Sequence, residues 1–140
     1  GNWPNCGEID IMEHVGSITN RASFSLQKKK KNGTRGNNWH STKMFDYSLA
    51  DDFHTYAVEW AQEEKDGKDV IRFFVDGVQY AEQWEAKIDN NDSWPFNKPH
   101  FIILNLAIGG TMGGSVDDAI FNVPRIMYVD YVRVYQRKEK

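Results

Sequence analysis

Segment after segment of this chain alternates every second residue, and no stretch longer than about ten residues keeps a helical 3.6-residue period. Alternating or β-rich runs occupy 7–15, 21–27, 42–47, 53–60, 70–75, 78–84, 101–108 and 128–136. Glycine, aspartate, asparagine and proline stand between them, where strands must turn. The sharpest local signal is Val75-Asp76-Gly77-Val78. An Asp-Gly pair between two β-rich runs suits a two-residue hairpin, because both central positions of that turn need positive φ. Many short strands without helical pattern predict an all-β fold, an antiparallel sandwich or barrel. The 140 residues amount to a single domain, 1–140.

Composition removes several function classes. With 40% hydrophobic residues the chain can bury a core and is not intrinsically disordered. Its 17 Lys and Arg against 20 Asp and Glu leave a net charge of −3, which excludes the basic field of a general nucleic-acid binder. The longest apolar run, Phe101 to Leu104, is far too short for a membrane-spanning helix. One cysteine, Cys6, allows no internal disulfide and no Cys-rich zinc site. His14, His40, His54 and His100 lack zinc-ligand spacing, and His54 and His100 are expected as hydrogen-bonded structural residues. The run 28–36, KKKKNGTRG, fits a solvated hairpin tip, and 63–68 a charged turn. The glycine run 109–114 lacks the Gly-x-Gly-x-x-Gly spacing and precedes no helix pattern, so it is expected as a flexible loop, not a phosphate cradle. The 14% aromatic content exceeds what a core needs, and stacking on a flat ligand is one use for the surplus. Gly1 to Gly7 is turn-like, and a strand pattern starts within eight residues of the first one. The expectation is a chain that has lost a pro-segment or is part of something longer.

The run Gly7-Glu8-Ile9-Asp10-Ile11-Met12-Glu13-His14-Val15 carries the chemistry. On a regular strand Glu8, Asp10 and Met12 share one face, while Ile9, Ile11 and Glu13 share the other. Glu13 would then enter the core unpaired, at a cost of several kcal/mol as an order of magnitude. One extra residue, a β-bulge near Ile11-Met12, returns Glu13 to the face of Glu8 and Asp10. Three carboxyls on one face repel when all are ionised, so at least one holds a proton near neutral pH. A protonated carboxyl beside an ionised one can hydrolyse a glycosidic bond. Two other readings stand beside this one. A solvated acidic face is common, although here the acids interrupt Ile, Ile, Met and Val. A calcium site would use the same side chains, although alternation without a loop glycine suits calcium poorly.

The segment Trp3-Pro4-Asn5-Cys6-Gly7 followed by Glu-Ile-Asp-Ile-Met-Glu resembles the signature of family 16 of the glycoside hydrolases, in its laminarinase-like endo-β-1,3-glucanase branch. The resemblance continues through 52–60, Phe74-Val75-Asp76-Gly77, 94–99, 103–110 and 129–136, nearly the whole chain. It implies a concanavalin-like jelly-roll β-sandwich with a concave cleft. This chain would be the C-terminal part of the catalytic domain, incomplete at the N-terminal side. It implies Glu8 as nucleophile, Asp10 as its assistant and Glu13 as acid/base. The unbulged spacing belongs chiefly to lichenases and plant transglycosylases of the family. Trp3, His14, Gln27 and Asn105 are candidate substrate-binding residues. Gln27 stands where such enzymes often carry His, and Met112 where they often carry Trp. Asp130 matches a family calcium ligand, so a structural calcium is expected there, while the chemistry itself requires no cofactor. Trp60 fits core or cleft, and Trp84 the core.

The expectation that follows is a secreted, monomeric, retaining endo-glycosidase acting on laminarin-type β-1,3-glucan, with a polysaccharide as its only partner class and neither nucleic acid nor membrane. Two alternatives remain. One is a non-catalytic, lectin-like β-glucan-binding sandwich, which needs aromatics but not three aligned acids. The other is the same chemistry on mixed-linkage glucan or a marine galactan. A sandwich lacking strands would expose apolar face and unpaired edges, so the 140 residues alone are expected to fold poorly or be inactive.

Overall fold

The computed structural model describes residues 1–29, 39–85 and 93–138, in two compact units, Gly1–Phe101 and Ile102–Lys140. Most of the lysine-rich run, 30–36, lies outside the described residues.

The first unit holds six strands. They are β1 Glu8–Glu13, β2 Arg21–Gln27, β3 Trp39–Met44, β4 Tyr56–Lys65, β5 Lys68–Val75 and β6 Val78–Trp84. They form two antiparallel sheets, β1-β2-β3 and β4-β5-β6. The chain is all-β, as the alternation predicts. Turn chemistry fixes both hairpins of the second sheet. Asp76 and Gly77 take φ of 50° and 78° between the paired Val75 and Val78. Asp66 and Gly67 take φ of 54° and 65° between the paired Lys65 and Lys68. Left-handed backbone at both central residues matches the twist of the flanking strands. The expected charged turn at 63–68 therefore narrows to two residues, and β4 runs past Trp60 to Lys65.

Strand parity builds the core. Ala22, Phe24 and Leu26 of β2 point to one side, and Ile71, Phe73 and Val75 of β5 meet them. Phe45, Leu49 and Phe96 close the cluster, and Phe24 and Phe73 have no solvent exposure. Their rings lie 5.5 Å apart, and Trp39 stacks on Phe73 at 5.4 Å. The opposite parity of β5 puts Arg72 outward. It pairs with Glu59 at 2.8 Å, Glu64 at 3.5 Å and Glu82 at 3.6 Å. Trp84, expected in the core, sits on this outer face under the Arg72 guanidinium, with its indole N–H on Glu82. Its register partner is Val70, on the same face as Arg72, and that register decides the matter. His54 and His100 are hydrogen-bonded through Nδ1, to Asp76 and to the Lys98 carbonyl.

The second unit departs from the sequence reading. Neither 101–108 nor 128–136 is a strand. Alternation only assigns faces; a strand forms when N–H and C=O groups meet a neighbouring backbone, and neither run enters a ladder. Gly110–Gly113 forms one α-helical turn, α1, where a flexible loop was expected, and Asp118–Asn122 a 3-10 helix capped by the Asp117 carboxylate. Gly109, at φ 68°, allows Val116 to approach; a Cβ there would lie 2.6 Å from Val116 Cγ2.

Candidate active site

The site rests on the way β1 begins. Asn5 and Cys6 donate to the Asn2 carbonyl and Gly7 to that of Pro4, a turn that delivers the chain to Glu8. Gly7 is buried, with φ of 77°. A Cβ on it would lie 2.7 Å from Pro95 Cγ and 3.2 Å from Phe96 Cε1. Only glycine accepts both that conformation and that approach. The short 3-10 turn Pro95–Asn97 is thereby packed under the start of β1. The indole of Trp94 ties this turn to the second sheet, donating to Asp69 Oδ2 at 3.0 Å. Asp69 is buried and also accepts from the Glu63 amide.

Along β1, Glu8 opposes Gln27 and Asp10 opposes Ser25, but Glu13 opposes Ser23. Ile11 and Met12 together stand against Phe24 alone. This is the expected bulge, in the expected place. It sets Glu8, Asp10 and Glu13 on the face of Ser23, Ser25 and Gln27, away from the core side of β2. β3 extends that face with His40 opposite Ser25 and Thr42 opposite Ser23.

The three carboxyls are half-buried and each has neutral partners. Trp3 Nε1 donates to Glu8 Oε2 at 2.7 Å. The Ser25 hydroxyl donates to Asp10 Oδ2, and its oxygen lies 3.2 Å from Glu13 Oε2. Gln27 Nε2 donates to Ser25 Oγ at 3.1 Å, while Gln27 Oε1 is buried without a partner. Burial, then the charges of Asp10 and Glu8, push the Glu13 carboxyl above its ordinary value of 4.5; a hydrogen bond from Ser25 and the charge of His40 pull the other way. Glu13 thus binds a proton more readily than an ordinary glutamate.

The remaining candidates are placed differently. Trp3 is 57% exposed, with its indole N–H committed to Glu8 and its ring open to solvent. His14 follows Glu13 and bonds the Arg21 carbonyl through Nδ1 at 2.9 Å, which ties the end of β1 to the start of β2. Asn105 lies in the second unit, in an exposed segment outside any strand. Asp130 is exposed in that unit, and no group of three or more His, Cys, Asp or Glu side chains among the described residues could hold a metal ion. Ser25 was not singled out by sequence reasoning, since a neutral serine carries no signal until its register is known. The signal available was parity: Ser23, Ser25 and Gln27 alternate with Ala22, Phe24 and Leu26.

Comparison with known proteins identifies the family. The family described as Glycosyl hydrolases family 16 matches residues 1–131. A protein named Beta-glucanase from Rhodothermus marinus is 37% identical over 96% of this chain and 46% of its own length. Glucan endo-1,3-beta-glucosidase A1 from Niallia circulans is 32% identical over 99% of this chain and 20% of its own. The chain therefore spans less than half the length of these relatives. Among solved structures, an endo-1,3-beta-glucanase from Streptomyces sioyaensis matches with a TM-score of 0.52 and 29% identity, over 63% of this chain and 32% of that one.

Proposed function

The chain belongs to family 16 of the glycosyl hydrolases, and from that premise we propose that it carries the catalytic carboxylates of a retaining endo-β-1,3-glucanase. The observation that carries the proposal is the bulge between Asp10 and Glu13, which returns Glu13 to the face of Glu8 and Asp10. The names of the relatives, a beta-glucanase and an endo-1,3-beta-glucosidase, support a β-glucan substrate and the 1,3 linkage. A polymeric substrate also supports a secreted enzyme.

The geometry suits double displacement. Glu8 attacks the anomeric carbon while Glu13 protonates the departing glycosidic oxygen. The Trp3 indole holds Glu8 Oε2, which leaves Oε1 to form the new bond. Asp10, satisfied by Ser25, faces the same sugar and orients the attack. Once Glu8 is esterified its negative charge is gone. One of the charges that raise Glu13 disappears with it, and Glu13 can take a proton from water in the second step. Two inversions return the original anomeric configuration. Gln27 Oε1, buried and unpartnered beside Glu8's register position, is suited to accept from a sugar hydroxyl.

The test is azide rescue. In the full-length protein that carries these residues, Glu8→Ala should abolish turnover of every substrate. Glu13→Ala should still form the glycosyl-enzyme from an aryl glycoside with a good leaving group, because that step needs no proton. Azide should then release it as a β-glycosyl azide. Near-normal activity in Glu8→Ala would sink the assignment of the nucleophile, and a folded protein that binds laminarin but never cleaves it would favour the lectin-like alternative. Reducing-sugar release from laminarin, mixed-linkage glucan and agarose assigns the polymer.

A further inference from the structure

The proton count at Ser25 goes beyond the assignment of the three acids. Ser25 Oγ has one proton to give and two lone pairs to receive with. Three groups reach it: Asp10 Oδ2, Glu13 Oε2 and Gln27 Nε2. Gln27 is a donor there and fills one lone pair. Asp10 and Glu13 would both be takers if ionised, and one proton cannot serve two carboxylates. Register assigns it. Asp10 is the residue directly opposite Ser25, whereas Glu13 stands opposite Ser23, two residues away along β2. At 3.2 Å the Glu13 contact is long for donation in either direction, so the register and the proton count, not the length, decide which way it runs. With the serine's single proton on Asp10, the Ser25–Glu13 contact has a hydrogen in it only when Glu13 carries a proton and donates to the serine's remaining lone pair.

We infer that Ser25 is a positioning residue that keeps Glu13 in its proton-loaded form, by giving its own proton to Asp10 and accepting the one on Glu13. With Glu13 protonated, the serine is saturated: one bond given, two received. With Glu13 ionised, its carboxylate gets no hydrogen from Ser25 and faces two other acids. The opposing pull of a Ser25 hydrogen bond on Glu13 operates only if the hydroxyl turns away from Asp10. Among the described residues, the charges that act on Glu13 are those of Asp10 and Glu8 on its own strand and His40 on β3, with His14 next along the chain and Arg21 at the start of β2. The rest of the β2 face, Ser23, Ser25 and Gln27, is neutral, so the hydroxyl is the group there that can distinguish the two forms of Glu13. The role of Glu13 as the acid rests on the proposed function; the proton count does not need turnover.

The experiment titrates Glu13 by carboxyl 13C NMR, with its resonance identified by loss in Glu13→Gln. Ser25→Thr keeps the hydroxyl, and Ser25→Val keeps the shape of threonine without it. Losing one neutral hydrogen bond should lower the proton affinity of Glu13 roughly three- to ten-fold in Ser25→Val, and Ser25→Thr should keep the parent midpoint. Ser25→Ala carries the same reading where the valine side chain is not accommodated. The basic limb of the kcat/KM profile should move to lower pH in step, with KM little changed. A midpoint that stays put, or rises, in Ser25→Val and Ser25→Ala overturns the inference, since a rise means the serine was donating to ionised Glu13. If the midpoint falls as expected but no β-glucan is cleaved, the functional reading fails and the proton count stands.

Discussion

At the scale of single residues, the site is a problem of placing negative charge. Glu8, Asp10 and Glu13 share one face, and among the described residues their hydrogen-bond donors are neutral: an indole on Glu8 and a hydroxyl on Asp10, the hydroxyl itself held by the Gln27 amide. A buried lysine or arginine would hold all three acids ionised, and the raised proton affinity of Glu13 would be lost. The sign of the resulting pH dependence follows from Glu13. Its folded-state value lies above 4.5, so the folded chain binds more protons than the unfolded one between those two values. The contribution of Glu13 to stability is therefore greatest below its unfolded value and is lost as pH rises through its folded value. Glu13→Gln removes that loss. Thermal melts across about pH 4 to 8, a range that starts just below the ordinary glutamate value, should show the variant gaining on the parent as pH rises. A constant or shrinking difference between the two Tm profiles would mean that Glu13 is not held above its ordinary value.

At the scale of elements, the bulge in β1 is a parity device. Glu8 and Asp10 are two residues apart and share a face unaided, while Asp10 and Glu13 are three apart and do not. Seating Ile11 and Met12 against Phe24 alone absorbs the odd residue. Deleting Met12 leaves Asp10 and the second glutamate two positions apart, still opposite Ser25 and Ser23. Inserting one alanine after Met12 adds an odd residue that the existing bulge does not absorb, and turns Glu13 toward the core. In the full-length protein, on the proposed function, the deletion should retain measurable glucan hydrolysis; the insertion should abolish it while far-UV circular dichroism still reports β-structure. Equal loss in both would show that parity is not what the bulge supplies. This device was legible from sequence because a buried unpaired glutamate is costly enough to exclude the regular strand. The Asp76-Gly77 hairpin was legible for a similar reason, since its chemistry is local. The face of Trp84 and the length of β4 were not. Trp84 depends on its register against Val70, and the last residues of β4 are charged residues whose only strand signal is the Asp66-Gly67 turn beyond them.

At the scale of the whole chain, the two units differ in how their backbone is satisfied. In Gly1–Phe101 each sheet has a central strand, β2 or β5, laddered on both sides, and Phe24 and Phe73 on those strands are fully buried. In Ile102–Lys140 the alternating runs carry strand-like sequence without ladders, and Ile103 and Val134 are 68% and 79% exposed. These runs could not be read correctly from sequence, because whether a strand forms depends on a non-local partner that alternation does not reveal. Hydrogen exchange resolves the difference directly. Protection requires a hydrogen-bonded amide shielded from water, and its upper limit is set by global unfolding. Exchange of the 140-residue polypeptide, followed by mass spectrometry of its peptides, should show the slowest amides in 21–27 and 68–75. Peptides from 102–108 and 128–136 should exchange orders of magnitude faster, close to unstructured rates, because no ladder holds their amides. Protection over 102–108 matching that of β2 would mean that this run is laddered in solution. The alternation of Ile102, Leu104 and Leu106 with Ile103 and Asn105 would then define the two faces of a true strand.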